Sequence, residues 1–235
     1  MTIASRQVPR ADPAEATRGA PYQPMFLQFI RVVGRLVVAA LFSLRVIGRE
    51  HIPARGPMIL AGNHSSVLDG PLVGLFSPRP VRALAKAELY HGVLGRILLR
   101  AGQIPVHRGR PDRRALRAAL EVLAAGEGLA LFPEGTRGRG DLDRVQHGIA
   151  WLTLHRPCPI VPVACLGTAR ALPRGRWWPS PRARIRVVFG VPFTVDVTGD
   201  PQARSTVAAA AEQIRLKLAE HLRDAAARYN PESER

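Results

Sequence analysis

His64 and Asp69 stand five positions apart in the segment Asn63-His64-Ser65-Ser66-Val67-Leu68-Asp69. On a continuous helix that spacing separates two side chains by about 140°, out of reach of each other. With His64 in a loop and Asp69 in the first turn of a helix, the carboxylate can fold back onto one ring nitrogen. The helix N-terminus also favours an acid there. The other ring nitrogen is then free to take a proton. This is the base and the orienting acid of a catalytic triad, with the nucleophile left to the substrate. The pattern alone has low specificity, because a surface histidine and a helix-capping aspartate share the same spacing.

The segment Phe132-Pro133-Glu134-Gly135-Thr136-Arg137 is far rarer by chance. Pro133 halts a strand, and Gly135 permits a tight turn with close backbone approach. Glu134 can accept a hydrogen bond from a hydroxyl or hold a neighbouring arginine. Arg137 offers a bidentate grip on phosphate. The alternative is a Glu134–Arg137 salt bridge that only shapes the loop. A third segment, Gly102-Gln103-Ile104-Pro105-Val106-His107-Arg108, ends a short apolar run on another arginine. Arg108 is a second phosphate candidate, or one more solvated arginine beside Arg110, Arg113 and Arg114. Taken together, the segments point to acyl transfer onto a hydroxyl of a phosphate-bearing acceptor.

The elements that must position these residues follow from hydrophobic periodicity. Strands are predicted at 45–50, 58–62, 81–86, 103–107, 128–132, 160–166 and 184–189. Helices are predicted at 25–43, 70–76, 91–101, 113–125, 148–155 and 202–229. The alternation predicts a single α/β domain with a central, largely parallel or mixed sheet flanked by helices. Both motifs fall at strand-to-helix junctions, where open α/β sheets build their sites. In the last helix, Val207, Ala211, Ile214, Leu218, Leu222 and Ala225 form a core-facing stripe with no catalytic role.

Composition adds a partner class. The chain has 235 residues, enough for one sizeable domain, and 46% of them are apolar. Its formal net charge is +16, with Lys86 and Lys217 as its only lysines. Such a balance favours an anionic bilayer, acidic carriers or nucleic acid. Cys158 and Cys165 fit no common metal spacing and read as buried free thiols of a reducing cytoplasm. No secretory signal peptide is recognised. Residues 1–23 read as a disordered tail, 24–47 as an amphipathic segment, 48–230 as the domain, and 231–235 as a tail. In 24–47 the arginines at 31, 35 and 45 argue against a bilayer-spanning helix. Two readings stay open for it. It can lie in the interface with arginines towards headgroups and Phe26, Phe29, Ile30, Val33, Val37 and Leu41 in the acyl region, or pack the same stripe on the core. Trp177-Trp178, flanked by arginines, carries the same choice between a membrane interface and a covered core patch.

The ordered set of motifs resembles the lysophosphatidic acid acyltransferase family of glycerophospholipid acyltransferases. Asn63-His64-Ser65-Ser66-x-x-Asp69 resembles its first motif, Gly102-x-Ile104-Pro105-Val106-x-Arg108 its second, Phe132–Arg137 its third, and Ile160-Val161-Pro162-Val163 its fourth. Ala85-Lys86-Ala87-Glu88-Leu89 is a weaker echo. The likeness covers roughly residues 45 to 195. It implies a glycerol-3-phosphate-acyltransferase-like fold, His64 as base and Asp69 as its orienter. Arg108, Glu134, Gly135, Thr136, Arg137 and Lys86 are implied on the acceptor side, and Pro162 on the donor side. The implied donor is acyl-CoA or an acyl carrier protein thioester, and the acceptor a lysophospholipid. No metal, no other cofactor and no nucleic-acid partner are implied, and the expected place is the cytoplasmic face of the cell membrane, peripheral or monotopic. Many relatives carry Phe-Lys-x-Gly where this chain reads Val145-Gln146-His147-Gly148, with Arg144 the nearest basic residue. That departure keeps other acceptors open: glycerol-3-phosphate, another lysolipid or an aminolipid hydroxyl. A non-catalytic binder of anionic lipid or nucleic acid is the rival from another class.

Overall fold

The computed structural model describes residues 22–107, 112–135 and 140–230. Seven strands form one sheet in the order β1-β7-β6-β2-β5-β3-β4. They are β1 (Ser43–Ile47), β2 (Met58–Gly62), β3 (Val81–Lys86), β4 (Ile104–Val106), β5 (Gly128–Leu131), β6 (Ile160–Leu166) and β7 (Arg184–Phe189). β6, β2, β5, β3 and β4 run parallel, while β7 pairs antiparallel with β6 and parallel with β1. The sheet is therefore mixed, with its parallel part under both motifs.

β2 sits at the centre, and all five of its residues are buried. A strand covered on both faces must be apolar throughout, as Met-Ile-Leu-Ala-Gly is. β5 pairs with it in the register Met58↔Gly128 to Ala61↔Leu131. The strands that feed the His64 and Glu134 segments are thus neighbours, and both loops leave the same sheet edge.

Helices cover both faces. Ile59, Ala61, Leu129 and Leu131 pack with α4 (Arg113–Ala124), α5 (His147–His155) and α7 (Arg204–Tyr229) on one side. On the other, Leu60, Val161, Val163 and Phe189 pack with Leu72 and Val73 of α2 (Asp69–Phe76), over which lies α1 (Pro24–Leu41). Two further helices, α3 (Gly92–Arg100) and the short α6 (Thr168–Ala171), complete the set among the described residues. The predicted stripe of α7 faces the core, with Ala211, Ile214, Leu218 and Ala225 buried. Cys158 and Cys165 are buried and free.

Two predicted boundaries shift for physical reasons. The first strand occupies 43–47, not 45–50, so the helix of the 24–47 segment ends at Leu41. Gly48 stops the strand: it has φ +75°, and a Cβ there would lie 1.9 Å from the Phe189 carbonyl oxygen. The last helix starts at Arg204 rather than 202, because Gln202 donates its backbone N–H to the Asp200 side chain in a local turn.

α1 corrects one detail of the interfacial reading, the arginines towards headgroups. Arg31 and Arg35 do not face outward. Arg31 donates to the Ser77 carbonyl oxygen and Arg35 to that of Leu75, at 2.7 Å. These carbonyls lie at the C-terminal end of α2, where backbone acceptors lack helical partners and a cation is favoured. Burial beside Arg35 and Arg49 lowers the Arg31 pKa to about 10. The outer face of α1 is instead apolar: Met25, Phe29, Val32, Val33, Leu36 and Val37 are exposed. By length and composition this 18-residue helix, of mean hydropathy 1.6, also meets the requirement of a membrane-crossing one.

Candidate active site

The loop after β2 carries His64, and α2 begins on Asp69. His64 Nδ1 lies 3.1 Å from Asp69 Oδ2. The same oxygen accepts the backbone N–H groups of Ser65 and Ser66, at 2.8 and 2.7 Å. An oxygen already accepting from two amides meets the imidazole as an acceptor, so Nδ1 is the donor and Nε2 is left to receive a proton. Asp69 is fully buried, and His64 is 8% exposed. The imidazole stacks on Phe132, ring centroids 4.6 Å apart. Phe132 follows β5, so the neighbouring strand supplies the ring on which His64 stacks.

The rest of the loop is tied down residue by residue. Asn63 exchanges two hydrogen bonds with the backbone of Cys165 in β6, donating through Nδ2 at 3.1 Å and accepting on Oδ1 at 2.7 Å. The Ser65 hydroxyl lies 3.1 Å from that of Thr168, and the Ser66 hydroxyl donates to the Leu172 carbonyl oxygen. Glu134 reaches across from the β5 loop and accepts the His64 backbone N–H at 2.8 Å. Desolvation pushes the Glu134 carboxyl above its ordinary range, against the lowering effect of donations from the His64 and Gly140 amides. Glu134 thus holds the His64 backbone, and it ties the loop of the first motif to residue 140.

Gly135 turns the chain with φ +72°, and a Cβ there would come within 2.9 Å of Gln146 Cγ. Gln146 in turn donates its backbone N–H to the Pro133 carbonyl oxygen. The residue standing where many relatives carry lysine therefore packs directly against the turn of the third motif. Behind it opens a groove of about 380 Å³ between 143–147 and α7, lined by Arg144, Gln146, His147, Glu212 and Arg215 among others. His64 does not line that groove.

The remaining sequence-predicted residues fall in different places. Arg108, Thr136 and Arg137 lie outside the described residues. The described ends of their segments, His107 and Gly135, follow β4 and β5 at the edge that carries His64. Asp112 accepts from the His107 amide and caps α4 through the Arg114 and Ala115 amides, bracketing the 108–111 segment. Lys86 ends β3 at the same edge and pairs with Glu88 at 3.3 Å. Pro162 lies buried within β6, opposite Ala61 of β2, and accepts from Gly190 through its carbonyl. Sequence reasoning missed the anchoring roles of Asn63, Ser65, Ser66 and Thr168. The signal for the serine amides was present: two residues three and four positions before an aspartate at a helix start.

A buried His–Asp pair stands at the carboxyl edge of a parallel sheet, its loop anchored by the glutamate that follows the neighbouring strand. The chain belongs to the acyltransferase family, whose model matches residues 43–166. Within that family it is similar to the lysophosphatidic acid acyltransferases. It is 26% identical over 135 residues to a 1-acyl-sn-glycerol-3-phosphate acyltransferase of Bacillus subtilis, covering 57% of this chain and 67% of that protein. It is 36% identical over 137 residues to a lyso-ornithine lipid O-acyltransferase of Pseudomonas aeruginosa, covering 57% of this chain and 51% of that protein. The chain thus spans about half the length of the latter relative. In fold it is like the 1-acyl-sn-glycerophosphate acyltransferase PlsC of Thermotoga maritima, with TM-score 0.67 and 24% identity over 94% of this chain and 86% of that one.

Proposed function

We propose that this protein moves a fatty acyl group from a thioester donor to the free hydroxyl of a lysolipid, with 1-acyl-glycerol-3-phosphate as acceptor and phosphatidic acid as product. The observation that carries the reading is the His64–Asp69 pair with Nε2 left unengaged by Asp69. His64 Nε2 takes the hydroxyl proton as the oxygen attacks the thioester carbonyl carbon. The tetrahedral intermediate collapses, the C–S bond breaks, and the thiolate leaves with the proton His64 carried. Bond making and proton transfer balance with no further cofactor. The donor is acyl-CoA or acyl carrier protein, both acidic and suited to a chain of net charge +16. On this reading Arg108, Arg137 and Lys86 serve the acceptor's phosphate, and the outward apolar face of α1 seats the enzyme on the cytoplasmic leaflet.

A second acceptor is favoured by a specific pair of observations. Gln146 stands against Gly135 where relatives carry lysine, and the Pseudomonas relative is named for a lyso-ornithine lipid. Thiol release by the purified protein tests both. Vesicles hold either lysophosphatidate or lyso-ornithine lipid with an acyl thioester, and His64→Ala serves as control. Turnover abolished in the variant supports the reaction class, and the better acceptor decides between the two lipids. Equal thiol release by both proteins refutes His64 as base.

A further inference from the structure

The loop between α6 and β7 holds Trp177 and Trp178, which are 92% and 84% exposed. Two adjacent indoles in water forgo the burial that large aromatic rings ordinarily gain, and here they cover no core patch. The loop is built to hold them there. Ser180 donates to the Ala171 carbonyl oxygen and Arg182 to that of Leu41, both at 2.7 Å. The Arg176 amide closes a turn onto Pro173, with Gly175 at φ +80°. Pro173, Pro179 and Pro181 restrict the rest. The base is therefore fixed while the tip projects.

Two further features give the partner's chemistry. The Leu41 carbonyl that accepts from Arg182 ends α1, so the loop is tied to the helix whose outer face is apolar. Arg174, Arg176 and Arg182 are exposed around the indoles, and there is no Asp or Glu between Asp143 and Asp196 or between Glu15 and Glu50. An apolar helix face and an indole pair, joined by hydrogen bonds and ringed by unopposed positive charge, fit an anionic bilayer surface. Indoles settle at headgroup level, and arginines gain from anionic lipid.

We propose that residues 173–182 are a second bilayer anchor, seating Trp177 and Trp178 at the headgroup layer of an anionic leaflet beside α1. This rests on the reading of the protein as an enzyme of bilayer lipids. Two anchors fix orientation as well as attachment, because one helix lying on a surface leaves rotation about its own axis open.

The test uses the full chain with vesicles of phosphatidylcholine containing about a third phosphatidylglycerol, with and without brominated acyl chains. Expected on binding are a blue shift and bromine quenching of tryptophan emission. Both should disappear in Trp177→Phe/Trp178→Phe, which retains only Trp151. Trp177→Ala/Trp178→Ala should bind about tenfold more weakly, with turnover on detergent-dispersed substrate unchanged. Each of Arg174→Ser, Arg176→Ser and Arg182→Ser should cost about fivefold on anionic vesicles and little on neutral ones. Wild-type binding without quenching, and undiminished in the double alanine variant, would overturn the second anchor while leaving α1 as the sole one. Absence of any vesicle binding would overturn the membrane reading itself.

Discussion

The 63–69 loop and helix α1 break the ordinary partition of polar and apolar groups in opposite senses. The loop buries Asn63, His64, Ser66 and Asp69, and each meets a named partner on β6, in the segments that follow β5 and α6, or within the loop. α1 exposes Phe29, Val33, Leu36 and Val37 and turns two arginines inward. Buried polar groups that meet partners in a low-dielectric setting are held in place, because each missing bond is costly; only Asp69 Oδ1 in this loop lacks one among the described residues. The exposed apolar groups of α1 have no cover among the described residues. One region is held by hydrogen bonds within the fold, and the other presents an apolar face that the described residues leave uncovered.

The sharpest way to break that contrast is to remove the base. His64→Ala should lower kcat by roughly 10²- to 10⁴-fold while vesicle binding stays intact, measured by thiol release and flotation. Asp69→Asn should approach the same loss, because an amide in place of the carboxylate favours the wrong imidazole tautomer. Its pH–rate profile and a refolding titration separate that from a folding defect. Glu134→Ala should cost less, about tenfold in kcat together with about 1–3 kcal/mol of stability from the orphaned His64 amide. Glu134→Gln retains an acceptor oxygen and should recover most of both in chemical denaturation and rate assays.

The smallest effect tests the sign of Glu134's ionisation. Its carboxyl is raised by desolvation, so its contribution to stability is fully present below the ordinary glutamate pKa. That contribution is lost as pH rises through the raised value. The Tm of the wild type relative to Glu134→Gln should therefore increase as pH falls across that window. An unchanged difference would mean that the carboxylate is not desolvated. On the other side of the contrast, Arg31→Met/Arg35→Met should loosen α1 from α2, read as faster amide exchange at 69–77, while its outer face still binds vesicles.

The parts of the fold legible in the sequence were those governed by period and punctuation. β2, with five apolar residues between Pro57 and Asn63, could be read directly, as could the stripe of α7. The His64–Asp69 contact was legible because a helix start supplies the reversal in direction that a five-residue spacing needs. The inward turn of Arg31 and Arg35 was not, because an arginine stripe on an apolar helix reads as a solvated face. The acceptors that reverse it are carbonyls 46 and 40 residues away. The same limit hid Asn63, whose partner is a backbone 102 residues downstream. Backbone acceptors have no letter in the sequence. Thr168 on the short helix α6 likewise became visible only once β6 was placed beside β2.

α2 is eight residues long, about 12 Å at the rise of an α-helix. Its first residue holds the imidazole, and the carbonyls at its far end are gripped by the helix that faces outward. A rod that short neither bends nor stretches appreciably, so it behaves as a depth gauge. The span along α2 between the carboxylate that meets His64 and the carbonyls that meet Arg31 and Arg35 is set by a count of helical residues. Adding one residue to α2 would lengthen that span by about 1.5 Å and swing Asp69 by about 100° relative to the helix's far end, changing reach and aim in a single step.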